Sequence, residues 1–267
     1  MKNIIKALRQ FPYNKGASLI MFCEYLILKM FTRASFSNMS IIPLVMGYYN
    51  LDSEEEFRVR YYVSRIGFDS IWSSKDRSTE EATEAFYNEH DADLWRQAYL
   101  ARTRYIYKKK ILLASHIAHA IKARQILDYG CGAGVLVHYL KRKGFVVDAA
   151  DIPSPTLEFV KTMGLNSVLT ITKDLQLQKE QYDLITCLDA LEHTFTPLEI
   201  TKRLLGSLKK GGILHVTFPR EEGEGSHGGH HHQHTPEAQR ERPAVFAYLR
   251  STCDELVSES IYRKRVA

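Results

Sequence analysis

Cysteine is scarce in this chain, and no two of its four cysteines form a C-x-x-C pair. Cys23, Cys131, Cys187 and Cys253 are widely separated, which argues against a zinc ribbon and against a disulfide framework. Cys131 and Cys187 fall in segments that we expect to be buried, as suits a reducing compartment. The cysteine pattern therefore predicts a cytoplasmic protein.

A long uninterrupted hydrophobic run is also lacking. The stretch from Ala17 to Phe31 comes nearest, but Glu24 and Lys29 interrupt it and no small-residue cleavage site follows. It is too short to predict a transmembrane span. Two interpretations stay open: an amphipathic helix packed on the protein, or peripheral contact of residues 1–32 with a membrane surface.

No proline occurs between Pro43 and Pro153, so nothing forces a break in a helical N-terminal part. We expect residues 1–115 to form a helical lid or accessory region and residues 116–267 a second domain. The net charge of +5 permits an anionic substrate. Nucleic acid is not an expected partner, because acidic residues are interspersed throughout and the one compact basic run, Lys108–Lys110, is interpreted as a solvated face.

The segment from Gln125 to Asp151 has the pattern of one βαβ unit. An apolar run ends at Asp128, three glycines follow at alternate positions, an amphipathic stretch predicts a helix, and a second apolar run ends at Asp151. The glycines are Gly130, Gly132 and Gly134. Glycines allow a sharp turn and the close approach of a ligand, and the helix that follows directs its first N–H groups at that turn.

The residues around this turn narrow the choice of ligand. A dinucleotide site prefers G-x-G-x-x-G, whereas this chain has G-x-G-x-G. A carboxylate at Asp128 repels pyrophosphate but accepts a hydrogen bond from an ammonium group. Asp151, about 20 residues past the turn, suits ribose hydroxyls. We therefore favour a nucleoside with a cationic tail; another nucleotide, or no ligand, stays open.

Further strands and helices alternate after this unit. Ser167–Ile171, Tyr182–Leu188 and Ile213–Phe218 predict strands, and the second of these is apolar almost throughout, as in a parallel strand covered on both faces. The spacing predicts an α/β fold: a Rossmann-like, doubly wound, mostly parallel sheet with the helical N-terminal lid region. Residues 255–263 could form a last strand. We expect the sheet to lack its full set of final strands, because few residues follow residue 250.

The glycine turn with its two aspartates resembles motif I of the class I S-adenosylmethionine-dependent methyltransferases. The stretch YDLITCLDALEHTFTP, a helix and then LKKGGILHVTFPR resemble the ubiquinone-type O-methyltransferase group over roughly residues 120–220. The resemblance implies S-adenosyl-L-methionine as cofactor. It also implies a cofactor site formed by Asp128, Gly130, Cys131, Gly132, Gly134, Asp151, Ile152, Asp174, Leu188 and Asp189. Asp174 could equally be a simple turn residue.

His193 is the candidate general base, should the acceptor be a hydroxyl. The pair Glu192-His193 could instead only order the end of a strand. In the same family a similar E-x-x-E-H motif holds a divalent metal, which makes Asp189, Glu192 and His193 weak metal candidates. We expect no metal requirement, because Asp189 is shorter than the glutamate it replaces.

These observations predict a methyltransferase acting on an oxygen of a small-molecule or lipid-like metabolite. An RNA 2′-O-methyltransferase and a non-catalytic protein that binds the cofactor are the alternatives. The former would need a basic groove with exposed aromatic rings. The histidine-rich loop at 227–234 follows a strand on the substrate side, where it could bind metal or simply be solvated.

Overall fold

The computed structural model describes residues 39–75, 79–219 and 235–266. The described part of the N-terminal region, residues 39–75 and 79–120, is helical, as expected, with short connections between helices. The helices are α1 (Ile42–Tyr48), α2 (Glu54–Ser74), α3 (Glu80–Glu89), α4 (Ala92–Thr103) and α5 (Tyr105–Ala120). Ser53 caps α2 by accepting a hydrogen bond from Glu56 N–H, and Thr79 caps α3 in the same way through Ala82 N–H.

A seven-stranded sheet follows these helices. Its strands are β1 (Ile126–Tyr129), β2 (Val147–Asp151), β3 (Ser167–Thr170), β4 (Tyr182–Leu188), β5 (Leu208–Thr217), β6 (Cys253–Val257) and β7 (Ile261–Lys264). The intervening helices are α6 (Val135–Arg142), α7 (Pro155–Lys161), α8 (Pro197–Ser207) and α9 (Pro236–Thr252). The strand order is β3-β2-β1-β4-β5-β7-β6, and the first five strands are parallel. This arrangement confirms the predicted doubly wound fold.

The end of the sheet differs from the expectation of a shortened terminus. Strand β7 lies between β5 and β6 and runs antiparallel to both, so the sheet is complete. The connection between β6 and β7 is short because the chain reverses in a tight turn. In this turn Ser260 N–H donates to Val257 O at 3.1 Å, and Glu259 has a φ of +49°. Helix α9 leads into β6 without an intervening loop. A few residues after 250 are therefore enough for two strands.

The sheet separates two hydrophobic clusters. Helices α1, α2, α4 and α5 share one cluster with α6 and α7, and α8 and α9 cover the opposite face. The predicted domain boundary at residues 115/116 falls inside α5, whose buried Ala114 and Ala118 belong to the same cluster as Ile126 of β1. The N-terminal helices thus add a layer to the α/β core. Their division from that core as a separate domain stays a prediction.

Within the described ranges no helix is long and apolar enough to cross a bilayer. Residues 1–32, for which peripheral membrane contact was considered, lie outside those ranges, as does the histidine-rich loop at 227–234.

Candidate active site

The glycine turn joins β1 to α6 at the carboxyl edge of the sheet. Gly130, Gly132 and Gly134 have φ values of +74°, +51° and +71°, a backbone conformation that other residues rarely adopt. A Cβ atom on Gly130 would also lie 2.5 Å from the Cβ of Ala190, which follows β4. The turn therefore needs glycine both for its conformation and for its contact with the neighbouring strand.

Strand β2 holds the turn in place from one side. Gly130 N–H and Cys131 N–H both donate to Ala150 O, at 2.8 and 3.1 Å. Gly132 N–H donates to Asp151 Oδ2 at 2.5 Å, and Ile152 N–H donates to the other oxygen of that carboxylate at 2.8 Å. Burial raises the pKa of Asp151 to about 6, although these two hydrogen bonds oppose the shift. Asp151 is thus fixed by backbone donors, and its remaining lone pairs can accept from ribose hydroxyls.

Asp128 lies on the other side of the turn and is only 4% exposed. Its carboxylate accepts a hydrogen bond from Thr186 Oγ1 of β4 at 2.6 Å. Burial raises its pKa to about 7; the Thr186 hydrogen bond lowers it and the nearby charge of Asp151 raises it further. A buried carboxylate with this pKa gains from a cationic partner, since an opposite charge favours the ionised form.

Helix α4 supplies a residue that the sequence did not single out. The Gln97 side chain extends to the turn, where its Oε1 accepts a hydrogen bond from Ala133 N–H at 2.9 Å. Tyr107 of α5 donates its hydroxyl to the same oxygen at 3.4 Å. Gln97 is separated by 36 residues from Ala133, so neither motif spacing nor periodicity could have indicated this contact.

A second polar group lies where β4 and β5 end. Asp189, at a φ of +52°, accepts a hydrogen bond from Thr217 Oγ1 at 2.7 Å and forms an ion pair with Lys110 of α5. Partial burial acts to raise the pKa of Asp189, but the Lys110 ammonium and the hydrogen bonds hold it below its usual value. Lys110, in the run Lys108–Lys110 interpreted as a solvated face, is partly buried, with 29% of its side chain exposed.

Glu192 and His193 follow in the short 3₁₀ turn Leu191–His193. Glu192 is 2% exposed, and its Oε2 has no hydrogen-bond partner among the described residues. Burial, and then the charge of Asp189, raise the pKa of Glu192 to about 8. His193 Nε2 lies 3.9 Å from Glu192 Oε1, and its side chain is 25% exposed. This pair brings a partly accessible imidazole to the edge at which the glycine turn lies.

His215 of β5 is a further buried group that the sequence analysis missed. It is 1% exposed, its Nδ1 has no partner in the described part of the chain, and burial lowers its pKa to about 4. Its position inside an apolar strand was the only available signal. The pKa of His215 responds to the charges of Lys110 and Asp189, and the neutral imidazole adds no charge of its own to them.

Of the remaining residues predicted to bind the cofactor, Cys131 and Leu188 lie at the turn and at the end of β4, whereas Asp174 lies elsewhere. Cys131 is buried in the turn, and burial raises the pKa of its thiol well above the usual range. Leu188 is the last residue of β4, opposite Thr217. Asp174 lies exposed in a turn after β3, and its contact with the adenine stays a prediction. Over the described ranges, no three metal-binding side chains converge.

Comparison with known proteins identifies the family to which this chain belongs. A family model described as "Methyltransferase domain" matches residues 97–250, more than half of the chain. The ubiquinone biosynthesis O-methyltransferase of Haemophilus ducreyi is 30% identical over 111 residues, covering 38% of this chain and 47% of that protein. Its counterpart in Histophilus somni is 32% identical over 108 residues, covering 36% and 45%.

The chain thus matches about half the length of these curated relatives. A solved O-methyltransferase family protein from Burkholderia thailandensis is 15% identical, with a TM-score of 0.49 over 79% of this chain and 71% of its own. The match of the family model extends from Gln97 of α4 through the glycine turn and β5 into α9. The predicted membership of a methyltransferase family is confirmed: the chain belongs to the methyltransferase domain family.

Proposed function

We propose that this protein transfers a methyl group from S-adenosylmethionine to an oxygen atom of a small-molecule or lipid-like acceptor. The observation that carries the proposal is the pair of carboxylates on either side of the glycine turn, Asp128 and Asp151. Both accept hydrogen bonds from the protein, and burial raises the pKa of both. Two acids here disfavour a phosphate ligand and favour a nucleoside with a positively charged tail.

The residues present fit this cofactor. Asp128 offers an acceptor to an ammonium group, and Asp151 offers lone pairs to ribose hydroxyls. The absence of a side chain at Gly132 leaves room for the Gln97 amide at the turn. When bound, the cofactor supplies an electrophilic methyl group on a sulfonium. The protein must then bind the acceptor in line with that group and exclude water.

Proton removal from the acceptor hydroxyl falls to His193. Its imidazole is partly exposed and lies next to the buried carboxyl of Glu192, at 3.9 Å. With a pKa of about 8, Glu192 is mainly protonated at neutral pH. As the pH rises it ionises, and its charge would then stabilise the imidazolium that forms when His193 takes the hydroxyl proton. The similarity to O-methyltransferases over the aligned part supports oxygen as the acceptor atom, and it does not identify the acceptor molecule.

The N-terminal helices serve as the lid in this proposal. Helix α4 reaches the glycine turn through Gln97, and α5 reaches the end of β4 through Lys110. Both helices therefore border the proposed site. Such a layer can exclude water from the methyl group during transfer.

The proposed function is tested by binding and by turnover. Calorimetry should detect binding of S-adenosylhomocysteine to the full chain and no comparable binding of NAD. Incubation of the protein and an isotopically labelled methyl donor with a metabolite extract should yield a labelled small molecule, whose label survives as an oxygen-linked methyl in mass spectra. Binding without any labelled product would favour a non-catalytic cofactor-binding protein, and binding of NAD alone would overturn the proposal.

A further inference from the structure

Gln97 makes the one side-chain contact described above between helix α4 and the backbone of the glycine turn. Because Ala133 N–H is a donor, the amide atom facing it at 2.9 Å must be the oxygen, Oε1. The hydroxyl of Tyr107, a half-buried residue of α5, approaches the same oxygen. Two donors from different elements thus fix the orientation of this amide.

With Oε1 fixed, the amide nitrogen of Gln97 has a defined place. A Cβ atom on Gly132 would collide with Oε1 and would lie 2.5 Å from Nε2, so the whole amide lies against the Gly132 Cα. The N–H of Gly132 itself is directed to Asp151. Nε2 of Gln97 is therefore a side-chain donor held against Gly132 at the glycine turn.

The two carboxylates near Gln97 Nε2 indicate which group of a ligand this donor can bind. Asp128 and Asp151 are acceptors when ionised, so neither can bind a carboxylate. A cofactor with an amino-acid tail brings both an ammonium, which suits Asp128, and a carboxylate, which needs a donor. We propose that Gln97 Nε2 recognises the carboxylate of the cofactor's amino-acid tail. This inference rests on the proposed function, and it makes a helix of the N-terminal region part of the cofactor site.

Gln97→Glu separates recognition of the carboxylate from support of the turn. Glutamate keeps the size of the side chain and an oxygen that can accept from Ala133 N–H, but it replaces the Nε2 donor with a negatively charged oxygen. If Gln97 only supports the turn, this variant keeps its ligand affinity. If Nε2 binds a carboxylate, the variant places two like charges together and loses affinity.

The experiment compares two ligands by calorimetry on the full chain. S-adenosylhomocysteine carries the amino-acid tail, and 5′-methylthioadenosine lacks it. Gln97→Glu should weaken binding of the first at least tenfold, and Gln97→Ala about tenfold to a hundredfold, the worth of a hydrogen bond to a charged group. Both variants should bind 5′-methylthioadenosine within about twofold of the wild type, which also shows that they are folded.

Arg102→Ala is the matched control, since Arg102 lies on the exposed side of the same helix and pairs with Glu54. It should leave both affinities unchanged. Unchanged binding of S-adenosylhomocysteine to Gln97→Glu, or an equal loss for both ligands, overturns the role of Gln97. A wild type that binds neither ligand instead overturns the proposed function itself, so the two failures are distinguishable.

Discussion

The ammonium of Lys110 forms an ion pair with the Asp189 carboxylate and so joins α5 to the end of β4, across 79 residues of sequence. Thr217 Oγ1 donates to the other oxygen of the same carboxylate at 2.7 Å. Asp189 is thereby held ionised beside Glu192 and His193. The charge of this cluster depends on a residue from the N-terminal helices.

Replacing Lys110 tests that dependence. Lys110→Ala should raise the pKa of Asp189, because the ammonium now lowers it, and so shift the acidic limb of the pH–turnover profile to higher pH. Lys110→Arg, which keeps the charge, should retain the wild-type profile. The loss of stability should stay below about 1 kcal/mol, since both partners are partly exposed. A large fall in the unfolding temperature with an unshifted profile contradicts the expectation.

Asp128 should make cofactor binding depend on pH. Its pKa of about 7 means that the carboxylate becomes fully ionised only above neutrality, and only the ionised form attracts an ammonium. The affinity for S-adenosylhomocysteine should therefore rise as the pH increases from about 6 to 8. Asp128→Asn should bind more weakly and lose most of this dependence. Calorimetry at several pH values measures both, and a variant with the wild-type slope would show that another group is responsible.

His193→Ala should lower turnover by about 10²–10⁴, the usual contribution of a general base, with little change in cofactor affinity. We also expect exhaustive chelation to leave wild-type turnover unchanged. The measurements are steady-state rates and calorimetry on the same preparations. Loss of activity on chelation, restored by one equivalent of a divalent ion, would contradict this expectation. It would support Asp189, Glu192 and His193 as metal ligands.

Gly132→Ala should greatly weaken cofactor binding. The added Cβ collides with the Gln97 amide, and a φ of +51° strains any residue with a side chain. Gly206→Ala is the control: Gly206 lies in α8, nothing lies within 4 Å of its Cβ position, and alanine favours the helix by roughly 0.5–1 kcal/mol. The control should bind normally and unfold at a slightly higher temperature. Equal binding by both variants contradicts the assignment of the turn.

The buried carboxyl of Glu192 should make stability fall with rising pH. Its pKa is raised from an ordinary value near 4.5 to about 8, so its protonated form contributes stability that is fully present below pH 4.5 and is lost as the pH rises through 8. As the pH rises from 6 to 9, the unfolding temperature of Glu192→Gln should therefore fall less than that of the wild type in thermal scans. Glu158→Gln, at an exposed carboxylate of α7, should follow the wild type.

The parts of the site that lie within one βαβ unit were predictable from sequence. The positions of Asp128, the three glycines and Asp151 follow from four consecutive elements: a strand, a turn with positive φ values, a helix and a second strand. The parallel sheet followed from the same alternation. Such features depend on residues close together in the chain, where hydrophobic periodicity and glycine spacing carry the information.

The contacts supplied by the N-terminal helices could not be predicted in the same way. Gln97 and Lys110 look like ordinary polar residues of a helix, and only the packing of α4 and α5 on the sheet brings them to the turn and to Asp189. The ending of the sheet was misjudged for a different reason. Chain length suggested too little room for two strands, but a tight reversal at Ser260 needs very few residues.

The placement of β7 between β5 and β6 has a consequence for synthesis of the chain. Residues of β5 leave the ribosome about 50 residues before their neighbour in the sheet, Ile261–Lys264. Until that neighbour arrives, the apolar strand β5 has an unpaired edge that can join a strand of another nascent chain. Strand β6, although it emerges first, cannot protect this edge in its native place. Correct pairing of β5 thus waits for the later strand, and until then this edge is open to pairing with another chain.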